Sequence, residues 1–128
     1  MTDTGAVPVA VGTDLVEIER LRAALDRTPG LHGAFTSDEL DYARTASDPV
    51  PRLAARWAAK EAVLKCLGGI VGRDDLAEVE VVRGSDGAPG IRLHGSVARR
   101  AAERRIAGWL ISLSHERSVA AATVLAIR

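Results

Sequence analysis

Arg56-Trp57-Ala58-Ala59-Lys60-Glu61-Ala62-Val63-Leu64-Lys65 is the stretch around which this chain is organised. Arg, Ala, Leu, Glu and Lys are strong helix formers, and Gly68-Gly69 supplies a stop, so a helix is expected from Arg52 to Leu67. At roughly 100° per residue, Leu53, Trp57, Leu64 and Leu67 fall on one side, and most other positions are Ala or Val. Such a helix has little water-facing surface, and its charges need partners. Glu61 and Lys65 are four apart and share a face, whereas Lys60 falls inside the leucine stripe. The helix pattern alone is satisfied by an i,i+4 ion pair and one snorkelling lysine.

Composition singles out the same stretch. Of seventeen basic residues only Lys60 and Lys65 are lysine, so the chain uses a compact ammonium here and guanidinium everywhere else. Net charge is zero, which removes any global argument for nucleic acid or an anionic membrane. Hydrophobic residues make up 47% and aromatics only 3%, so the core must be built from Ala, Val, Leu and Ile. A core of small side chains favours stabilisation by oligomerisation. At 128 residues the chain is expected to be a single domain, 1–128. Cys66 is the only cysteine, excluding an internal disulfide and suiting a reducing cytosol. Met1 to Pro8 lacks a basic-then-apolar leader and no segment approaches membrane-spanning length, so a soluble cytoplasmic protein is expected.

Outward from the helix, Val7, Val9 and Val11 alternate as a strand ending at Gly12-Thr13-Asp14, and Val16 to Leu25 takes helical spacing with Ile18, Leu21 and Leu25 inward. Thr28-Pro29-Gly30 breaks that helix. Thr36 with Glu39 forms a capping box for a short helix carrying Leu40 and Tyr42. Beyond the central helix, Gly68 to Asp75 reads as loop. A hairpin follows, Val79 to Arg83 and Ile91 to His94, joined through Asp86-Gly87. A helix from Ser96 to Ile106, a strand from Trp109 to Ser114, a tight connection at His115 to Arg117 and a strand from Val119 to Ile127 complete the order. Hairpins among helices argue for an α+β class, an antiparallel sheet packed against helices.

Three polar sites stand out. Asp14 ends a strand, as a helix cap or a metal ligand. Glu61 and its lysines interrupt an apolar helix. Ser112, Ser114 and His115 gather at the end of an apolar strand. Two carboxylates from different elements make a hard oxygen site suited to Mg²⁺, and a lysine one turn away suits phosphate. These residue types point to phosphoryl transfer if the fold brings them together.

Gly12-Thr13-Asp14-Leu15-Val16-Glu17-Ile18 resembles the N-terminal motif of the holo-acyl-carrier-protein synthases, and Trp57-Ala58-Ala59-Lys60-Glu61-Ala62 with Lys65 and Leu67-Gly68 resembles their second. Phe35-Thr36 with Glu39, Asp86-Gly87 with Pro89, and Ser112-Leu113-Ser114-His115 follow in the same order. The resemblance covers nearly the whole chain and implies a 4′-phosphopantetheinyl transferase-like fold. It implies Asp14 and Glu61 as Mg²⁺ ligands. Lys65, Ser114 and His115 would lie near the phosphates of coenzyme A, and Arg56 near its nucleotide. Arg20 and Arg22 would dock an acidic acyl carrier protein. It also implies a homotrimer with active sites at subunit interfaces. Thr13 departs from the aliphatic residue of many relatives, and Lys60 has no evident role.

The implied reaction is attack by a carrier-protein serine on the β-phosphorus of coenzyme A, releasing 3′,5′-ADP. Glu61 and a metal-bound water are alternative bases. Two rivals remain: a nucleic-acid-binding module using Arg99, Arg100, Arg104 and Arg105, disfavoured by the zero net charge and scarce aromatics, and an inactive trimeric scaffold.

Overall fold

The computed structural model describes residues 5–128, so the reading of Met1 to Pro8 as leaderless lies partly outside the described residues. In chain order come β1 (Pro8–Glu17), α1 (Ile18–Arg27), a 3-10 stretch (Pro29–Ala34), α2 (Ser37–Arg44) and α3 (Val50–Cys66). A single turn, α4 (Asp75–Glu78), leads to β2 (Val79–Arg83) and β3 (Pro89–Leu93), then α5 (Gly95–Glu103), β4 (Gly108–Glu116) and β5 (Val119–Ile127). The class is the expected α+β. The strands divide into an antiparallel three-stranded sheet, ordered β1-β5-β4, and the separate hairpin β2-β3. Among the described residues no helix is long and apolar enough to cross a membrane.

Helix α3 lies on one face of the larger sheet. Ala58, Ala59, Ala62 and Val63 are buried against Ala122, Val124 and Ala126 of β5. Small side chains on both surfaces let the backbones approach closely. At Gly12 the approach has no slack: a Cβ there would sit 2.0 Å from the Ala62 carbonyl oxygen. A second core, richer in large side chains, gathers Ile18, Leu21, Leu25, Phe35 and Leu53 under α1 and the start of α3. Removing one such leucine side chain costs about 2–5 kcal/mol.

Strand β1 runs past Asp14 to Glu17, because β5 pairs with it along the whole length to Glu17↔Val119. This corrects the expected strand end at Asp14. Helix α1 starts at Ile18, and Asp14 is a mid-strand residue rather than a cap. The alternating valines of β1 lie on its open face. Val9, Val11 and Leu15 are exposed, whereas Ala10, Gly12, Asp14 and Val16 point toward α3. In register with them, Leu110, Ser112 and Ser114 of β4 share the uncovered face. Thr13 lies on that face too, its hydroxyl donating to the Ala122 carbonyl at 3.1 Å. The capping box of α2 forms as expected: Thr36 Oγ1 accepts from the Glu39 amide and Glu39 Oε1 accepts from the Thr36 amide.

Candidate active site

The inward face of β1 presents Asp14 to α3, and the Gly12–Ala62 contact holds strand and helix at backbone distance. Glu61 and Lys65 project from α3 at that point. Lys65 Nζ donates to Asp14 Oδ1 at 3.1 Å and to the Thr13 carbonyl at 2.8 Å. The expected Glu61–Lys65 pair does not form; the lysine bridges to the strand instead. Because the Lys65 side chain is 53% exposed, the pair contributes little stability. Its effect is to place a cation beside two carboxylates.

Glu61 and Asp14 are neighbouring carboxylates across the contact of α3 with β1. Burial pushes the Glu61 carboxyl up from its ordinary value, and the neighbouring Asp14 pushes it further. The indole of Trp57, donating to Glu61 Oε1 at 3.2 Å, and the charge of Lys65 oppose the rise. Asp14 Oδ2 is buried and has no hydrogen-bond partner. Two crowded carboxylates with an orphaned oxygen fit a divalent cation. Among the described residues no third His, Cys, Asp or Glu joins them, which suits Mg²⁺, an ion that completes its shell with water and phosphate.

Two clefts meet at Glu61. One, of about 600 Å³, is lined by Leu15, Arg20, Leu21 and Trp57. The other, of about 260 Å³, is lined by Leu64, Lys65, Gly69 and Ile70. Arg20 therefore shares a cleft with Glu61 and makes no ion pair among the described residues. Arg22 does not have that freedom. Its guanidinium is held by Glu19 at 3.0 Å and Asp48 at 2.7 Å, which raises its pKa well above the ordinary arginine value. Of the two expected docking cations, Arg22 is already neutralised by its neighbours.

Arg56 lies on another side of α3. Its guanidinium stacks 4.5 Å from the Tyr42 ring centroid, and Arg52 and Arg83 each stack at 4.4 Å. Burial pushes the Arg56 pKa down, and its Nε is buried without a partner. A cleft of about 320 Å³ joins Tyr42, Arg56 and Arg83 to Gly87, Pro89 and Ser112. The turn and the serine strand, quoted separately in the sequence, thus meet Arg56. Three guanidiniums around one ring are an anion-binding chemistry.

Ser114 and His115 do not reach the carboxylates within one chain. Asp14 stands opposite Ala122 and His115 opposite Ala120, with β5 between them. His115 lines a separate cleft with Ile18 and Pro51, and Ser114 points to the uncovered face. Sequence reasoning also missed Trp57 as a partner of Glu61, and Tyr42, Arg52 and Arg83 as the surround of Arg56. The clustering of aromatic Tyr42 with arginines 10, 14 and 41 residues away left no local signal. The arginine face of α5 is not a free basic stripe: Arg100 is tied to Asp75 and to two carbonyls.

A family description matches residues 10–124 of this arrangement: the 4′-phosphopantetheinyl transferase superfamily, in its ACPS branch. The chain belongs to that superfamily. A holo-[acyl-carrier-protein] synthase of Streptomyces coelicolor is 47% identical over 122 residues, covering 92% of this chain and 96% of the relative. The superfamily fold is matched by the acyl carrier protein synthase structure from Mycobacterium tuberculosis. It has a TM-score of 0.71 and 35% identity, covering 95% of this chain and 97% of that one. A Chronobacterium ammoniagenes ACPS–CoA complex gives a TM-score of 0.80 at 32% identity, covering 91% and 94%.

Proposed function

We propose that this chain, acting as one transferase domain over 1–128, moves the 4′-phosphopantetheine group from coenzyme A to a serine hydroxyl of an apo acyl carrier protein. The observation that carries the reading is the trio Asp14, Glu61 and Lys65, assembled from β1 and α3 at the junction of two clefts. The synthase relatives and the ACPS–CoA complex supply the substrates that such a trio would serve.

Asp14 and Glu61 would hold Mg²⁺, through the orphaned Asp14 Oδ2 among others. When bound, the ion supplies Lewis-acid charge to the diphosphate of coenzyme A and a template for its oxygens. Lys65, one turn along the helix, donates to the diphosphate and offsets the charge that builds on the leaving 3′,5′-ADP. Glu61, whose carboxyl is held above its ordinary value, is the proton acceptor within reach of a serine hydroxyl entering from the Arg20 cleft. Arg20 attracts the acidic carrier surface, a steering effect that weakens with salt. Arg56, with an unpartnered Nε, receives the nucleotide's phosphate.

Assembly is the second half of the reading. Val9, Val11, Leu15 and Leu110 leave the larger sheet with an uncovered apolar face, and sheet faces of this kind mark interfaces. We assign that face to a homotrimer, in which His115 and Ser114 serve the site of a neighbouring copy. The compartment is the cytoplasm, where a single buried thiol, Cys66, stays reduced.

Purified protein, Mg²⁺ and coenzyme A should add one phosphopantetheine mass to an apo carrier, read by intact-protein mass spectrometry. Absence of that gain across a panel of fatty-acid and polyketide carriers overturns the proposal.

A further inference from the structure

Arg100 lies on α5, outside both clefts, and its guanidinium reaches across to the loop that follows α3. Nη2 donates to the Leu67 carbonyl and to the Gly69 carbonyl, each at 2.6 Å, and Nη1 donates to Asp75 Oδ2 at 3.1 Å. The same Asp75 oxygen accepts the amides of Val71 at 2.8 Å and Gly72 at 3.2 Å. Asp75 is buried and the Arg100 side chain is 18% exposed, so the pair is largely withdrawn from water. Such a charge-assisted fork is stronger than a surface ion pair.

The start of the loop is also held by the Gly69 amide, which donates to the Leu64 carbonyl at 2.7 Å, but beyond Gly69 the Arg100–Asp75 pair is the main tie. Gly68 and Gly69 adopt φ of +92° and +99°, open to glycine and costly for other residues. Ile70 and Val71 are 56% and 79% exposed, so the loop is not anchored by burial of its apolar side chains. Yet Gly69 and Ile70 form the wall of the cleft whose opposite side is Glu61 and Lys65. Beside the Gly69 amide's bond to Leu64, four hydrogen bonds converge on the Arg100–Asp75 pair, from the carbonyls of Leu67 and Gly69 and the amides of Val71 and Gly72.

We propose that Arg100 is a positioning residue for coenzyme A: with Asp75 it clamps the Gly69–Gly72 loop as the outer wall of the Lys65–Glu61 cleft. The inference rests on the reading of that cleft as the coenzyme A site. Lysine at position 100 keeps a charge for Asp75, but a single ammonium lacks the planar fork that spans two carbonyls and a carboxylate.

The test measures steady-state transfer with coenzyme A and carrier varied separately, alongside hydrogen exchange of the loop amides. Arg100→Met is expected to raise the KM for coenzyme A about tenfold, with kcat and the carrier KM within about twofold. Exchange at Val71 and Gly72 should accelerate, with Arg100→Lys intermediate on both readouts. Should Arg100→Met fold poorly, Asp75→Asn, which keeps an oxygen for the two amides, should show the same split in smaller degree. Faster exchange without a change in the coenzyme A KM overturns the clamp, as does an equal fall in kcat with both substrates. Lys65→Met separates the two readings. If it raises the coenzyme A KM and Arg100→Met does not, only the clamp fails. If it leaves that KM unchanged, the cleft is not the coenzyme A site and the clamp's purpose falls with it.

Discussion

Lys60 Nζ lies 2.7 Å from Glu39 Oε1, and both side chains are wholly inaccessible to solvent, one residue along α3 from Glu61. The ammonium also donates to the carbonyls of Leu76 and Val79, while Glu39 accepts the amides of Thr36 and Val81. Burial pulls the Lys60 pKa down and the carboxylate beside it opposes the fall. Every polar atom of the pair is thus satisfied by α2, α4 or β2, and Lys60 ties three elements to the helix that carries the site. It does not snorkel, and it does not face either cleft.

The two lysines should therefore part company. Lys60→Met leaves Glu39 as an uncompensated buried charge and should cost about 3–5 kcal/mol in chemical denaturation. Adding Glu39→Gln should recover part of that loss. Lys65→Met removes a half-exposed pair and should change stability by less than about 1 kcal/mol while depressing transfer. Equal destabilisation by the two would contradict the burial contrast.

Asp14→Ala and Glu61→Ala should each lower phosphopantetheine transfer by at least about a hundredfold, because in the proposed site each would be one of the two carboxylates holding Mg²⁺ against the diphosphate. Far-UV circular dichroism should be unchanged, since neither side chain caps or fills a core. Substantial turnover by either variant at ordinary Mg²⁺ concentrations would remove the carboxylate site from the mechanism.

Glu80 supplies a pH dependence. Burial pushes its carboxyl up, but hydrogen bonds from His94 and Thr36, with the charges of His94 and Arg92, bring it below the ordinary glutamate value. A depressed folded pKa contributes stability above the unfolded value of 4.5 that is lost as pH falls through the folded one. Glu80→Gln should therefore cost about 1 kcal/mol at pH 7, and the difference should vanish in acid below the usual glutamate range. A pH-independent difference in thermal unfolding would show that the charge of Glu80 is not what matters.

Val11 and Leu110 flank Leu125 in the same row of the uncovered sheet face. If this face joins the proposed homotrimer, Val11→Lys together with Leu110→Lys should yield single chains in light scattering where the wild type gives trimers, and transfer should fall with it. Wild-type protein that is active as a single chain would leave Ser114 and His115 without a route to the site.

The sequence was legible where local chemistry decides the outcome. Thr36 and Glu39 announced the start of α2, and Ile18, Leu21 and Leu25 gave the buried stripe of α1. Asp14, Glu61 and Lys65 stood out as candidates in the sequence, and the fold brings them together. Alternation in β1 revealed two faces but not which is covered, because a surface that must accept the alanines of α3 is itself made of small residues. The valines were left for the open side. Lys60 was opaque for a different reason: its partner Glu39 is 21 residues away, and a capping residue gives no sign that its second oxygen serves a buried ammonium. Arg100 was hidden among neighbouring arginines, where a solvated face and a buried clamp look alike.

The contact between Gly12 and Ala62 sets how far apart the site's two acids stand. Because no side chain separates strand from helix there, the spacing of Asp14 and Glu61 is a property of two main chains. The contact acts as a ruler cut at its minimum length: any side chain added at residue 12 would wedge strand from helix and part the two acids.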